Sequence, residues 1–566
     1  MQEYFERVSS RLSPDGQLKI AETCLTYLSF SVFETGSCAT DKDFEERLRQ
    51  HELLDYAAKY CGEHVRYVEA EVADAFCSFL TYDGLLACAT QVSCVTSYNY
   101  RGYSRNYPAM SGLHWAARFG LCKVAKRYLR IVKGDAVHTV NLQDSRGRHS
   151  LMYAAEHGHY KMTKLLLNKG ADVNAQGGNY GNALQAASSE GHEAIVELLL
   201  NKGADVHAQG GHYGNALQAA SCGGNEAIVM LLLEKSVDVN VQGGNYGNAL
   251  RAASSRGYEA IVKLLLNKGA DIHAEGRLNC SPRGGLYSNA KDGFYGSALQ
   301  AASYGGHEVI VKLLLDKGAN VHAQGGRYGS ALQAASSRGH ETIMKLMLDN
   351  GANVNAQGGW YGSALQAASS GGHEVIVKLL LDKGANVNAQ GGQHGAFGNP
   401  LQAASDSGYE AIVMLLLDKG ADINAQGGDY GSALQAASSG GHMAIVELLL
   451  NKGADVNAQG GDYGGALQAA SSEGHEATVE LLLNKGADVN AQGGDFGSAL
   501  QAASSGEQEA IVKLLLNKGA NVNAQGGYYG SALQLASSRG HETVVELLLN
   551  KGANVHAEGG HYSNAL

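Results

Sequence analysis

The sequence predicts an all-α solenoid preceded by a small helical domain, and three observations carry that prediction. First, a phrase close to Asn-Ala-Gln-Gly-Gly-x-Tyr-Gly-Ser-Ala-Leu-Gln-Ala-Ala-Ser-Ser-x-Gly-His-Glu-x-Ile-Val-x-Leu-Leu-Leu-x-Lys-Gly-Ala-Asp recurs with a period of 33 residues. The Leu opening each copy falls at Leu184, Leu217, Leu250, Leu299, Leu332, Leu365, Leu401, Leu434, Leu467, Leu500, Leu533 and Leu566. Looser copies open at Leu113 and Leu151; from Leu184 onward the only irregular steps, 49 and 36, are insertions of 16 and 3 residues. Second, each copy holds two apolar blocks of helical period separated by Gly. Third, the first hundred residues share none of this repetition. A fixed period of this size means a solenoid, in which each unit buries its apolar face only against its neighbours.

Residues 1–105 form the helical domain. Residues 15–28 make an amphipathic helix with Leu18, Ala21, Cys24, Leu25 and Leu28 on one side. Residues 41–50 read as a capped helix, 53–65 as another and 67–80 as a third. The apolar stretch 85–94 is too short to span a bilayer. Residues 98–108, rich in Tyr, Arg and Asn, read as the linker to the array over 106–566.

One copy, residues 182–215, shows the logic of the repeat. Asn182 is an N-cap (Ser in many other copies), and Ala-Leu-Gln-Ala-Ala-Ser-Ser makes a short helix after it. Ala186 and Ala187 let the next helix approach closely. Gly191 ends the first helix and His192 turns the chain into the second. That helix, 193–202, places Ile195, Val196, Leu198 and Leu199 at helical spacing. Gly203 then supplies a left-handed terminus. Residues 204–214, polar and Gly-rich, read as a hairpin-like finger leading to the next unit.

Helix, turn, helix and finger in this order resemble the ankyrin repeat. Gly-Leu-His-Trp-Ala-Ala-Arg-Phe-Gly over 112–120 is close to the ankyrin pattern Thr-Pro-Leu-His-x-Ala-Ala-x-x-Gly, and Leu-Leu-Leu-Asn-Lys-Gly-Ala-Asp-Val-Asn-Ala over 165–175 to its second half. Later copies depart from it: Ser/Asn-Ala-Leu-Gln replaces Thr-Pro-Leu-His, and Pro400 is a lone survivor of the older form. The resemblance covers roughly 110–566 with about thirteen full copies, a last one begun and cut off, and an insertion at 277–292. It implies protein binding on a concave face of fingers and first helices, without catalysis. Ile-Ala-Glu-Thr-Cys-Leu-Thr-Tyr-Leu-Ser-Phe (20–30) and Leu-Leu-Asp-Tyr-Ala-Ala-Lys-Tyr-Cys-Gly-Glu-His-Val (53–65) resemble the region after the NTPase domain of fungal NLR-type (NACHT–ankyrin) receptors, which usually have Trp where this chain has Cys61. The resemblance implies a sensor arm. Nucleotide binding does not carry over, because no Gly-Lys dipeptide exists in the chain to build a phosphate loop. Either the chain is the C-terminal portion of a longer receptor or a descendant that lost its switch. The other end carries the same expectation: Ser563 to Leu566 begin a first helix and no polar capping unit follows, so the last pair frays or the natural chain continues.

Comparing copies separates scaffold from display. The His of Gly-His (His192, His307, His340, His373, His442, His475, His541) could suggest a metal or pH ladder. It reads better as a turn residue bonding adjacent backbone, since Asn225, Tyr258, Tyr409 and Gln508 replace it elsewhere. An aromatic recurs in the finger at Tyr180, Tyr213, Tyr246, Tyr295, Tyr328, Tyr361, Tyr430, Tyr463, Phe496 and Tyr529, and packing of finger on finger explains it. The residue before it changes: Asn179, His212, Asn245, Phe294, Arg327, Trp360, Asp429, Asp462, Asp495 and Tyr528. These are the candidate partner-binding residues, with Arg327, Trp360 and Tyr528 of the types that dominate interface energy. Asp429, Asp462 and Asp495 form an acidic stripe, open equally to a reading as a solvated face. The position before Gly-His varies as well (Glu190, Arg256, Arg338, Gly371, Glu473, Arg539), as a displayed surface would. The insertion reads as a surface excursion rather than a binding loop.

Bulk properties narrow the function. With 44 Lys and Arg against 55 Asp and Glu, the net charge of -11 argues against a phosphate-tracking, nucleic-acid-binding surface. The N-terminus lacks the apolar core of a signal peptide, and no membrane segment is expected. The nine Cys show no Cys-x-x-Cys, which suits free thiols in a reducing, cytoplasmic setting. No catalytic constellation stands out from the repeat. The expectation is therefore a cytoplasmic, non-enzymatic protein that uses no cofactor or metal and no small-molecule substrate and binds an unidentified protein ligand. It would serve as the ligand-sensing arm of a fungal NLR-like receptor lacking its NTPase domain, or alternatively as a scaffold or adaptor holding a constant partner.

Overall fold

Helices Pro14–Leu28, Asp41–Gln50, Leu54–Tyr67, Glu69–Leu80 and Asp83–Cys94 open the chain in the computed structural model, which describes residues 13–95, 103–132, 135–275, 295–391, 397–528 and 530–557. Each begins where the chemistry allows. Ser13 accepts from the Gly16 N–H at 3.2 Å with Pro14 in the first turn, and Thr40 accepts from the Asp43 N–H at 3.1 Å. The helix expected from residue 67 starts at Glu69, and the helix Asp83–Cys94 was not anticipated. Its sequence carries a buried Gln91 among apolar residues, which blurs its period. The Gln91 carboxamide is matched all the same: Oε1 accepts from the Cys38 N–H at 2.8 Å, and Nε2 donates to the Cys38 and Ser104 carbonyls at 2.9 and 2.7 Å.

The chain forms two compact units, Met1–Ala270 and Asp271–Leu566. In the first, the opening helices dock on the first repeat, Gly112–Phe119 and Cys122–Ile131. Trp115 is fully buried there and donates from Nε1 to Thr90 Oγ1 at 2.8 Å. Glu69 Oε1 accepts from the Val124 N–H at 2.9 Å and from the Lys123 N–H, so a carboxylate caps the second helix of that repeat. The helical region thus supplies the polar-shelled cover that the first unit of a solenoid needs. Among the described residues there are thirteen helix pairs, five in the first unit and eight in the second.

In Ala183–Glu190 and Glu193–Asn201 the repeat takes the form its residues require. Asn182 Oδ1 accepts from the Gln185 N–H at 2.9 Å, and Gly191 closes the first helix in the left-handed region at φ 80°. Ala186 and Ala187 are fully buried, so first helices stack on first helices and second on second within each unit. Ile195, Val196 and Leu199 are buried, while Leu198 is only half-buried. The fingers are minimal hairpins closed by antiparallel bridges such as Gly177↔Gly181 and Gly210↔Gly214. The one pair of strands among the described residues, Gln525–Gly526 with Gly530–Ser531, is two residues long, so the all-α class holds. All eight described cysteines are free, and burial pushes the Cys24 thiol up to about 12. Among the described residues no single helix is long and apolar enough to cross a membrane.

Candidate functional site

Most fingers are set by a buried glutamine, with Arg251 in its place in one copy. The Gln of Ala-Leu-Gln reaches across to the following finger: Gln185 Nε2 donates to the Gly214 carbonyl at 3.1 Å, and Gln435 Nε2 to the Gly460 and Gly464 carbonyls at 3.1 and 3.0 Å. Both glutamines are fully buried. A carboxamide there adds a second donor to the Gly214 and Gly464 carbonyls, which already accept from the Gly210 and Gly460 N–H groups closing the hairpins, and so ties the finger to the preceding helix. That is the physical meaning of Gln in this position, which the sequence reading had treated only as part of a helix.

Held this way, the fingers join at their tips through the very residues that vary. The His212 N–H donates to the Asn179 carbonyl and the Asn245 N–H to the His212 carbonyl, both at 2.7 Å. In the second unit the Trp360 N–H donates to the Arg327 carbonyl at 2.6 Å. Asp462 donates to Asp429 at 2.7 Å, Asp495 to Asp462 at 2.8 Å and Tyr528 to Asp495 at 2.7 Å, all main chain to main chain. The candidate residues therefore fall into three ladders, one residue per repeat. Phe294 and Tyr529 lie outside the described residues, as does the insertion 277–292.

Backbone pairing turns most of these side chains toward solvent. Asn179, His212, Arg327, Trp360, Asp429, Asp462, Asp495 and Tyr528 are exposed, Trp360 to 37% and Tyr528 to 55%, and Asn245 is half-buried. The Arg327 guanidinium sits 5.0 Å from the Trp360 ring centre, a cation–π contact between neighbouring repeats. Burial first, then the flanking Asp429 and Asp495 carboxylates, raises the Asp462 carboxyl above its ordinary range.

The fixed aromatics pack finger on finger. Tyr180 stacks on Tyr213 at 5.9 Å, Tyr295 on Tyr328 at 6.1 Å, Phe397 on Tyr430 at 6.1 Å and Tyr430 on Tyr463 at 6.3 Å between ring centres. Their hydroxyls reach the position before Gly-His: Tyr180 donates to Glu190 and Tyr463 to Glu473, each at 3.0 Å, and Arg256 donates to Tyr246 at 2.9 Å. That variable position is thus tied to the finger as well as displayed. The Gly-His histidines bond the neighbouring repeat's backbone, with Nε2 of His192, His442 and His475 on the carbonyls of Glu156, Asp406 and Ser439 at 3.0, 2.7 and 2.9 Å. Among the described residues no group of three His, Cys, Asp or Glu is arranged to hold a metal ion.

A family model described as ankyrin repeats (3 copies) matches residues 113–210, 211–275, 283–358, 357–427, 401–493 and 492–558. The chain belongs to the ankyrin-repeat family. Among solved structures, the crystal structure of the human ASB11 ankyrin repeat domain is similar at 30% identity over 40% of this chain and 99% of that one, with a TM-score of 0.34. No curated protein matches the chain. Ankyrin repeats are protein-interaction modules, and the fingers of this ankyrin array carry its most variable exposed side chains.

Proposed function

We propose that this chain recognises a protein ligand through its finger tips, as the cytoplasmic sensing arm of a fungal NLR-like receptor. The observation that carries this reading is the tip ladder. It holds main chains in a fixed register while the side chain at each rung differs, so one scaffold displays an exchangeable row of exposed residues. Near-identical repeats with a variable rung suit an array that changes specificity by adding or exchanging units. The motifs at 20–30 and 53–65 support the receptor context, and their helices Pro14–Leu28 and Leu54–Tyr67 belong to the core that docks on the first repeat. The function needs no catalysis, cofactor or nucleic acid.

The test is capture from a fungal extract with the full chain, beside Arg327→Ala/Trp360→Ala/Tyr528→Ala. A protein held by the wild type and lost by the variant supports recognition at the tips. Its identity separates a sensor, whose ligand is foreign or appears on challenge, from an adaptor with a constant partner. Equal capture by both proteins would refute recognition through these rungs.

A further inference from the structure

The displayed positions of the second unit change sign along its repeats. Asp429, Asp462 and Asp495 border, with Glu473, an acidic cleft of about 320 Å³. In the copies before them the tips hold Arg327 and Trp360, and the positions before Gly-His hold Gly305, Arg338 and Gly371, with no carboxylate in that set. One further residue sets these copies apart. Tyr304 stands where most other copies have the second Ser of Ala-Ala-Ser-Ser. Its ring meets Tyr328 at 4.5 Å and Tyr295 at 5.6 Å between centres, so a third aromatic joins the usual stack of two fingers.

Tyr304 also redirects an arginine. Arg256, before Gly-His in the first unit, turns to Tyr246 of its own finger. Arg338, at the same position, reaches instead Tyr304 of the preceding repeat: its guanidinium lies 4.2 Å from the ring centre and donates to the hydroxyl. The Arg327 guanidinium is held over Trp360 on the next rung. Both arginines are exposed, and Tyr304 is half-buried between them and the finger rings. Their charges bear on one point: burial raises the Tyr361 hydroxyl above its ordinary range, while Arg327 and Arg338 both act to lower it. Gathering two cations costs Coulomb energy that a ligand carboxylate between them would offset. The cation–π contacts hold both guanidiniums in advance, which lowers the ordering cost of binding. We infer that Arg327, Arg338, Tyr304 and Trp360 form a docking surface for an acidic segment of a protein partner. Neighbouring Asp or Glu side chains of that segment pair with the two guanidiniums, and an apolar side chain between them lies on the rings. A guanidinium fork meets a carboxylate through two bonds, and Arg and Trp are among the residues that dominate interface energy. The inference rests on the recognition reading above and adds the chemistry of the partner.

The test uses the full chain and three labelled synthetic peptides of one sequence, with Glu, Gln or phosphoserine at two positions flanking a Leu. Binding is followed by fluorescence anisotropy. The variant Arg327→Gln/Arg338→Gln keeps the fold, because Asn179 and Glu190 occupy the same positions in another copy. Lys345→Gln/Lys378→Gln removes equal charge from exposed second-helix positions of the same run and serves as the control. Tyr304→Ser installs the residue of most copies, leaves the charge unchanged and releases Arg338. The Glu peptide should bind the wild type and the control alike, about tenfold more tightly than the Gln peptide. It should lose about tenfold in the arginine variant. Tyr304→Ser should lose about threefold, a change that net charge alone would not produce. Equal affinity for the Glu and Gln peptides, undiminished binding by the arginine variant or by Tyr304→Ser, no saturable binding, or binding of the phosphoserine peptide alone would each overturn the proposal. If the Glu peptide fails while partner capture still needs Arg327 and Trp360, the recognition reading stands and the acidic assignment falls.

Discussion

The joints between repeats are clasped in the run that carries the acidic ladder and left open at one place in the first unit. From Asn388 onward, one asparagine per repeat spans each joint. Asn424, Asn457, Asn490 and Asn523 donate from Nδ2 to the carbonyls of Gly453, Gly486, Gly519 and Gly552 at 3.2 to 3.5 Å. Their Oδ1 atoms accept from the N–H of Asp455, Asp488, Asn521 and Asn554 at 2.7 to 2.9 Å. In the first unit Asn174 does the same with Gly203 and Asp205, but His207 follows it in the next copy. An imidazole carries its donor and acceptor on ring nitrogens that point apart, so it cannot meet both backbone groups as the adjacent O and N of a carboxamide do. At the same joint Ser236 replaces the usual Gly and is held at φ 60°. The same backbone thus yields firm and soft joints, and the difference lies in single residues. The acidic cleft stands on the firm run.

The comparison can be broken where one finger meets the next. Gly464 sits at φ 87°, and a Cβ there would meet the Gly493 carbonyl carbon at 2.2 Å. Gly464→Ala should cost about 3 kcal/mol and separate the fingers. Gly453, at φ 94° with nothing within 4 Å of a Cβ, should cost only about 1 kcal/mol as Ala. Urea midpoints of the two variants should differ accordingly; equal midpoints would show that finger contact contributes nothing.

Acid should separate the regions next. Burial holds His114 and His159, both in the first unit, at about 4. A histidine depressed in the folded state binds more protons when unfolded, so stability falls as pH drops from the ordinary value near 6.5 towards 4. Lowering the pH from 7 to 5 should cost the first unit on the order of 2 kcal/mol for each of the two histidines. Hydrogen exchange resolved along the chain should show protection lost around residues 112–167, and uniform loss across both units would argue against these two histidines as the cause.

Smaller changes sharpen the contrast of joints. Asn457→Ala removes one donor and one acceptor at an exposed joint and should cost about 1.5 kcal/mol. The reciprocal His207→Asn should gain about 1 kcal/mol by supplying the missing clasp. Ser236→Gly should gain about 1 kcal/mol by removing the left-handed cost. Thermal unfolding of these three proteins checks the signs, and a neutral His207→Asn would show that the joint is already closed by other contacts.

Much of this was legible in the residues. The repeat period, the helix pairs, the capping roles of Asn182 and Gly191, the stacking of the finger tyrosines and the backbone role of the Gly-His histidines all follow from local chemistry repeated many times. The helix Asp83–Cys94 was missed because a helix buried on most sides shows no clear amphipathic stripe. The Gln clamp, the Asn clasp and the tip ladder were missed because their partners are separated by about one repeat in sequence, where no local pattern reports them. Two signals were present: the near-constant Gln in a buried face, and the alternation of Asn and His in the Val-Asn/His-Ala motif.

By itself the sequence determined the solenoid, its unit length and the positions free to vary, because each repeat states the same local preferences and only stacking satisfies its apolar face. The period already lines the three aspartates up as a stripe; tertiary structure alone decided that their main chains pair directly and that they border one cleft. Stacking brings residues one period apart to hydrogen-bond distance, so Asp429, Asp462 and Asp495, far apart along the chain, become adjacent rungs around one cleft. Charge that is dispersed in sequence is concentrated only when the repeats are laid against one another.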